Sequence, residues 1–101
     1  MTGKRRREQQ PITRLARGQP CTIRIPGVCA PSPENETTVP CHYRLAGLSG
    51  AGFIPPPFMF AFGCFACHQY VDSHHDAETR LAHAEGCFRT LGKLKKMGVS
   101  L

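Results

Sequence analysis

The feature that most constrains how this chain can fold is a pair of cysteines two residues apart, Cys64 and Cys67, followed directly by His68. Two thiols at this spacing can hold one metal ion from a tight turn, and structural zinc sites complete such a pair with two further ligands. A second pair is available at Cys21 and Cys29, although the seven residues between them exceed the usual two to four. We therefore expect a structural Zn²⁺ site with four thiolate ligands: Cys21, Cys29, Cys64 and Cys67.

Length and composition favour such a metal site. A chain of 101 residues with ten glycines and nine prolines has room for one domain with a thin core, and small domains of this kind are often stabilised by a metal or by disulfides. The basic residues 4–7 are not followed by the apolar stretch of a secretory signal, and the apolar residues 53–67 are interrupted by prolines and too short to cross a membrane. We expect a cytoplasmic protein with reduced thiols, which favours zinc over disulfides.

Other interpretations of the cysteines stay open. They could be buried free thiols, and CxxCH at residues 64–68 is also the attachment signature of c-type haem, which we rank last because no export signal is present. Cys87 lies near the apolar face of a predicted helix and fits a small core residue better than a ligand.

The net charge of +6 is concentrated at both ends of the chain. Residues 1–20 contain six basic side chains and a single acid, Glu8, and no acid follows Glu85. Clustered Lys and Arg side chains favour a polyanion partner, most simply the phosphate backbone of DNA or RNA. A solubilising tail and a solvated helix face would account for the charge equally well.

The pattern along the chain predicts a flexible basic arm over residues 1–18, with at most a frayed helix at 12–17, and a single domain over residues 19–101. Short strands are predicted at 22–25, 39–45 and 58–62, and a glycine-rich loop at 46–52. A helix is predicted at 67–72 and a longer amphipathic helix at 76–97, begun by Asp76 or Ser73 and ended by Gly98. Its apolar residues recur at steps of three and four: Ala77, Leu81, Ala84, Phe88, Leu91 and Leu94. This helix could pack on its own domain or on a partner, so a homodimer is one option and the oligomeric state stays open.

Two histidines flank the predicted zinc turn, His42 on a strand and His68 on a helix. Such a pair suits metal-assisted phosphodiester hydrolysis, in which one imidazole accepts a proton from water and the other helps to hold a divalent ion. Asp72 lies four residues after His68, on the same helix face, and is the expected second ligand of that ion, most simply Mg²⁺. Arg44 follows His42 by two residues and could hold the scissile phosphate.

The order of these motifs resembles that of a known family. Cys21-x7-Cys29 encloses Ile25-Pro26-Gly27, His42 is followed by Arg44-Leu45-x-Gly47-Leu48-x-Gly50, and Cys64-x2-Cys67-His68 is followed by Asp72. Over residues 14–76 the chain resembles the YbcO-like family of small prophage-encoded proteins named as nucleases, which is similar in turn to the HNH, or His-Me finger, endonucleases. The resemblance implies an α+β fold, a zinc-stabilised ββα-metal finger that is treble-clef-like, acting on DNA in phage replication or recombination. By that resemblance His42 would match the general base, and His68 the metal-binding histidine of the helix.

The chain departs from the HNH pattern at three places. The acidic ligand that usually precedes the base is Cys41 here, no asparagine lies between the two histidines, and residues 54–57 read Ile-Pro-Pro-Pro where close relatives have Lys-Pro-Pro-Asp. Besides Asp72, the second ligand of the ion could then be Cys41, His74 or His75. The leading hypothesis is a metal-dependent DNA endonuclease, and the competing one is a zinc-stabilised module that binds nucleic acid without cutting it. A structural phage protein that contacts no nucleic acid accounts least well for the charge.

Overall fold

A two-stranded antiparallel sheet and the two helices that follow it form the centre of this small α+β protein, which a computed structural model describes over residues 11–45 and 57–100. The elements in chain order are α1 (Pro11–Arg14), a 3-10 helix (Pro33–Asn35), β1 (Val39–His42), β2 (Phe60–Gly63), α2 (Phe65–Ser73) and α3 (Ala77–Lys96). The basic run at 4–7 and the glycine-rich stretch at 46–52 lie outside the described residues. Within those residues, no helix combines the length and the apolar character that a membrane crossing requires.

Strand β2 is the most deeply buried element, since all four of its residues are buried. Phe60 and Phe62 pack in one apolar cluster with Ala16 and Leu94, whereas Ala61 belongs to a second cluster that contains the predicted zinc ligands. The neighbouring strand β1 is half-buried and exposes its last residue, His42. The sheet therefore separates two small cores, and its outer strand delivers a histidine to the surface.

The free edge of β2 is closed by two buried threonines instead of a third strand. The backbone N–H of Thr22 donates to the Phe62 carbonyl oxygen at 2.7 Å, and the Phe62 N–H donates to the hydroxyl oxygens of both Thr22 and Thr90 at 3.1 Å. The strand predicted at 22–25 is wrong, because Arg24 has a φ of +57°, a left-handed conformation that no strand residue adopts. Only Thr22 pairs with the sheet, and the chain then turns away toward Cys29.

Helices α2 and α3 begin at side chains that accept backbone hydrogen bonds. Helix α2 starts after Cys64, whose sulfur accepts from the Cys67 N–H, and it is longer at both ends than the predicted 67–72. Helix α3 starts after Asp76, whose carboxylate accepts from the Thr79 N–H, and it ends before Gly98, which has a φ of +84°. The long helix therefore begins at Asp76 and ends at Gly98, as predicted. The Asp76 carboxylate accepts a hydrogen bond from a free N–H of the first turn, and Gly98 adopts a positive φ that a residue with a Cβ rarely adopts.

Helix α3 turns its polar face inward, although a helix that packs on a domain usually buries its apolar face. Its buried residues are Thr79, His83, Gly86, Thr90 and Leu94. Leu81 and Phe88 are 59% and 72% exposed, so of the predicted apolar face only Leu94 is fully buried. The inward side is polar because Thr90 bonds to β2 and His83 bonds to the Cys41 carbonyl oxygen, contacts that an apolar side chain cannot make.

The predicted basic arm is in part packed on the domain. Residues 1–10 lie outside the described residues, but Ala16 is 1% exposed and Ile12 and Leu15 pack against the cluster of Phe60 and Phe62. Helix α1 covers only Pro11–Arg14, and the chain turns from there to Gly18. The packed part of the chain therefore begins before residue 19.

The two glycines of α3 provide a test of this packing. A Cβ at Gly86 would lie 3.1 Å from the Cα and 3.2 Å from the N of Ile23, backbone atoms that cannot rotate away, whereas a Cβ at Gly92 would meet nothing within 4 Å. Gly92→Ala should stabilise the protein by about 0.5–1 kcal/mol through helix propensity. Gly86→Ala should instead destabilise it by about 1–3 kcal/mol through overpacking, measured as the free energy of unfolding in urea. Equal stabilisation by both changes would mean that α3 does not approach Ile23 so closely.

Candidate functional site

The predicted zinc ligands come together as one cluster of sulfur atoms. The Sγ atoms of Cys21, Cys29, Cys64 and Cys67 all lie within 4.8 Å of one another. The Cys29 and Cys64 sulfurs are 3.9 Å apart, and four ligands at about 2.3 Å from a tetrahedral zinc ion are about 3.8 Å apart. The cluster is buried apart from Cys29, which is half-buried. The four cysteines therefore fit a metal ion such as zinc in number, chemistry and spacing.

Two local structures bring the thiol pairs together. In the loop that joins Cys21 to Cys29, the Cys29 N–H donates to the Ile25 carbonyl oxygen at 2.9 Å and the Arg24 Nε donates to the Cys21 carbonyl oxygen at 3.2 Å. The second pair lies at the start of α2, where the Cys64 sulfur accepts from the Cys67 N–H at 3.5 Å. Each pair is therefore held in place by hydrogen bonds within its own segment of the chain.

The thiols of Cys21, Cys29 and Cys67 perturb the pKa values of one another. The Cys67 thiol donates to the Cys21 sulfur, and this bond lowers the pKa of Cys21 to about 4 and raises the pKa of Cys67. Burial, with the nearby Cys21 sulfur, raises the pKa of Cys29 to about 12. Four sulfurs this close cannot all ionise without a cation to offset their repulsion, so the donor set matches a site whose thiolates form when a metal binds.

A cleft of about 250 Å³ opens beside this cluster, where the end of β1 meets α2 and α3. It is lined by His42, Arg44, Val71, Asp72, His75, Arg80 and His83. Three of the predicted site residues, His42, Arg44 and Asp72, thus share one cavity although they come from two separate segments of the chain. Asp72 is the single acid in this lining, and the other polar side chains are arginines and histidines. The cleft is therefore suited to an anionic ligand.

The fourth predicted residue, His68, does not line the cleft itself but lies beside Asp72, which does. Its Nε2 lies 3.5 Å from Oδ2 of Asp72, one helical turn further along α2. His42 lies at the exposed end of β1 and lines the same cleft as Asp72. Desolvation lowers the pKa of His42 below its usual value, and the nearby charges of Arg44 and His68 lower it further. The His42 imidazole is therefore neutral at neutral pH and available to accept a proton.

The alternative ligands considered for a catalytic ion have different surroundings. Cys41 is 1% exposed and its thiol donates to the Val39 carbonyl oxygen at 3.6 Å, so its sulfur lies in the core and away from the cleft. His74 stacks on Tyr70 with ring centroids 3.8 Å apart, whereas His75 lines the cleft. In the part of the chain that the structure describes, the four cysteines are the only group of three or more potential ligands that lie close together.

Two cleft residues, Arg80 and His83, were not predicted from the sequence. The Arg80 guanidinium lies 4.6 Å from the centre of the Tyr43 ring, and its Nη2 donates to the Arg44 carbonyl oxygen at 3.0 Å. The Nε2 of His83 donates to the Cys41 carbonyl oxygen at 2.9 Å. The sequence signal for these two residues was the helical spacing of Thr79, His83, Gly86 and Thr90. This spacing identifies the inward face of α3 only once it is known that β2 needs hydrogen-bond partners.

Comparison with known proteins places the chain in a family. Residues 10–99 match the family model described as Putative nuclease YbcO. The chain belongs to the YbcO family. This confirms the resemblance inferred from the cysteine and histidine motifs.

Individual YbcO relatives agree with this assignment. The chain is 46% identical over 61 residues to the Putative nuclease YbcO of Escherichia coli strain K12 and, with the same figures, to that of Enterobacteria phage 82. The match spans 60% of this chain and 62% of each relative. A solved structure of a putative bacteriophage protein from Escherichia coli K-12 MG1655 is 34% identical, with a TM-score of 0.64 over 83% of this chain and 95% of that one. This chain therefore shares its fold with that solved structure over most of its length.

Zinc content should separate ligand from non-ligand cysteines. Protein produced with zinc should hold one ion per chain, and Cys87→Ser should keep it, because Cys87 lies outside the thiol cluster. Cys29→Ser should lose most of the zinc and with it the folded state, since structural zinc contributes to folding directly. Elemental analysis and circular dichroism measure both effects. Loss of zinc from Cys87→Ser to the same extent would contradict the assigned ligand set.

The buried His83 predicts a pH dependence of stability. Desolvation, with Arg80 nearby, lowers the pKa of His83 below 6.5, so near pH 6 the unfolded chain binds a proton that the folded chain does not. The free energy of unfolding should therefore fall as the pH drops through 6.5, by at most about 1.4 kcal/mol per pH unit from this group. His83→Gln keeps a donor for the Cys41 carbonyl oxygen but does not titrate, so its stability should fall less steeply. Urea unfolding of both proteins between pH 5 and 7, roughly the range in which histidine titrates, measures the difference. Identical slopes would exclude this role.

Proposed function

We propose that the protein is a metal-dependent endonuclease that hydrolyses DNA phosphodiester bonds, of the HNH or His-Me finger type, with a structural zinc ion on the four cysteines. The observation that carries the proposal is the cleft into which His42, Arg44 and Asp72 all open. The order β1, β2, α2 beside a thiol cluster is consistent with a ββα-metal finger. The names of the YbcO relatives add support, because they describe those proteins as nucleases.

In this proposal His42 is the general base. Its ring is exposed at the end of β1 and its pKa is lowered, so at neutral pH it can accept a proton from a water molecule that attacks the phosphorus. Its position is held by the pairing of His42 with Phe60 in the sheet and by the burial of the preceding Cys41. Because neighbouring strand residues point to opposite sides, a buried Cys41 directs His42 outward.

His68 and Asp72 are the proposed ligands of a catalytic divalent ion, Mg²⁺ or another such as Mn²⁺. Their nearest N and O atoms are 3.5 Å apart, and adjacent ligands of an octahedral ion at about 2.1 Å are about 3 Å apart. A small rotation of either side chain closes the difference. Both side chains are at least one-third exposed, which leaves room for a phosphate oxygen and water as further ligands. When bound, such an ion stabilises the negative charge that develops on the phosphate and on the leaving oxygen.

Arg44 and Arg80 are proposed to bind phosphate groups of the DNA. Arg44 is exposed at the mouth of the cleft, and Arg80 is held in its wall by Tyr43 and the Arg44 carbonyl oxygen. A guanidinium whose orientation is already fixed loses less entropy when it binds a phosphate. The excess of basic residues in the whole chain, +6 in net charge, would attract the same polyanion at longer range. We propose that the protein works in the cytoplasm of a bacterial host during phage DNA replication or recombination.

The second candidate is a zinc-stabilised module that binds DNA without cutting it. The observation that favours it is the burial of Cys41 at the position where HNH enzymes usually carry an acidic metal ligand. With that position in the core, the proposed ion is left with His68 and Asp72, whose N and O atoms are 3.5 Å apart, as its protein ligands. An ion held by two side chains depends on the substrate to complete its coordination.

Plasmid nicking tests the catalytic proposal. Zinc-loaded wild-type protein should nick supercoiled DNA only with added Mg²⁺ or Mn²⁺, and His42→Ala should reduce the rate by about 10²–10⁴-fold, the usual contribution of a general base. Asp72→Asn should raise the concentration of ion required. His74→Ala is the matched control, because His74 stacks on Tyr70 outside the cleft lining and should leave the rate unchanged.

DNA binding measured in parallel separates the two candidates. Wild type and His42→Ala should bind a fluorescent duplex with similar, salt-dependent affinity, since His42 acts on water and not on the phosphate backbone. Binding without nicking in any ion would reject the nuclease and favour the module. Nicking that persists in His42→Ala would instead reject the role given to this histidine.

A further inference from the structure

The outward face of α3 is an apolar surface that the described part of the domain does not cover. Its apolar residues recur along the helix as Leu81, Ala84, Phe88 and Leu91, and Leu81 and Phe88 are the most exposed large apolar side chains of α3. Soluble monomers rarely leave an extended apolar patch in contact with water. Because the polar face of the same helix is committed to the core, the helix cannot rotate to hide this one without breaking the bonds of Thr90 and His83.

Beside this face lies an apolar groove of about 250 Å³. Its walls include Tyr43 and Leu45 after β1, Phe58 and Met59 before β2, and Ala84 and Phe88 on α3. Leu45 and Phe58 are themselves 43% and 39% exposed. The groove has a small residue, Ala84, one helical turn away from a large projecting one, Phe88. A surface that carries both a hole and a knob of similar size can be complementary to itself.

The charges along α3 favour a second copy of this chain, paired antiparallel, as the partner of this apolar face. The exposed acid of its first turn is Glu78, and the last turn carries Lys93, Lys95 and Lys96. Two parallel copies would place like charges together at both ends. In an antiparallel pair with Phe88 of each copy against Ala84 of the other, Leu81 lies opposite Leu91. Glu78 then lies level with position 94 of the second copy, within about half a helical turn of Lys95 and Lys96. Hydrophobic and electrostatic complementarity then coincide in the same arrangement.

We propose that the protein forms a symmetric homodimer through antiparallel pairing of the outward faces of α3, with Phe88 of each copy seated in the apolar groove of the other. This surface is distinct from the cleft of His42 and Asp72 and does not depend on the proposed nuclease activity. A helix of 20 residues offers a contact about 30 Å long, which is small for an obligate dimer, so the association is reversible and depends on concentration.

Sedimentation equilibrium of the full-length, zinc-loaded chain tests the dimer. The mass should rise from 11.1 kDa toward twice that value with increasing concentration. Phe88→Glu should weaken the dimer at least tenfold, whereas Phe65→Glu, a matched change at an exposed phenylalanine on α2, should not weaken it. A mass of 11.1 kDa for the wild type at every concentration up to about 1 mM would overturn the proposal. Equal weakening by both variants would overturn the assigned surface.

Charge reversal tests the antiparallel orientation independently of the apolar contacts. Glu78→Lys and Lys96→Glu should each weaken dimerisation several-fold, and the double variant should recover it, because the pairing of opposite charges is restored between copies. Both sites are exposed, so the fold should tolerate either change, which circular dichroism and zinc content verify. In a parallel dimer the double variant would behave no better than the single ones. That result would overturn the proposed arrangement even if a dimer were present.

Discussion

The hydrogen bonds at the free edge of β2 are the contacts on which the rest of the structure depends. A two-stranded sheet leaves the N–H and C=O groups of one edge of each strand without a partner, and a buried group left in that state costs about 1–3 kcal/mol. Here β2 is buried on both faces, so water cannot supply the missing bonds. Thr22 and Thr90 supply them, and their hydroxyl oxygens are themselves 2.9 Å apart. One short strand thereby fixes the loop that carries Cys21 and the helix that carries His83.

The same bonds explain the unusual orientation of α3. A helix packed on a sheet normally buries its apolar stripe, because burial of apolar area is the largest favourable term in folding. In this chain the partner of α3 is a strand edge that needs hydroxyl groups, and Gly86 allows the Ile23 backbone to come close. The polar face therefore goes inside and the apolar face is left at the surface. The helix contributes Arg80 and His83 to the cleft at its N-terminal half, and an apolar surface along its outer side.

The parts that could be predicted from the sequence are those determined by neighbours along the chain. Spacing identified the boundaries of α3 at Asp76 and Gly98 and the alignment of Asp72 with His68, because each depends on residues within a few positions of one another. The thiol cluster joins pairs that are 35 residues apart between Cys29 and Cys64, and it was predicted because a structural zinc site needs four ligands. The strand predicted at 22–25 is wrong, and the sequence pattern left open whether the apolar face of α3 packs on its own domain or on a partner. Both points depend on the open edge of β2, which needs hydrogen-bond partners. The local sequence around Thr22 or Thr90 does not reveal this need, because Phe62 lies 40 residues from Thr22 and 28 residues from Thr90. Arg80 was missed for the same reason, since its partners follow β1.

The threonine contacts also affect the order in which the parts of the chain can fold during synthesis. The bonds that close β2 join residues 40 and 68 positions apart in sequence, Thr22 with Phe62 and Thr22 with Thr90. Contacts at such separations are costly in loop entropy and form late. During synthesis β1 and β2 are complete well before Thr90 has been added, so until most of α3 exists the edge of β2 can be closed only by Thr22. A truncated chain that ends before Thr90 would retain all four ligand cysteines and the Thr22 bonds. It would lose the Thr90 hydroxyl that also accepts from the Phe62 N–H, and it would lose Leu94, which packs with Phe60 and Phe62. Metal binding by itself would therefore leave β2 partly uncovered, and a partly open strand edge is the kind through which proteins aggregate.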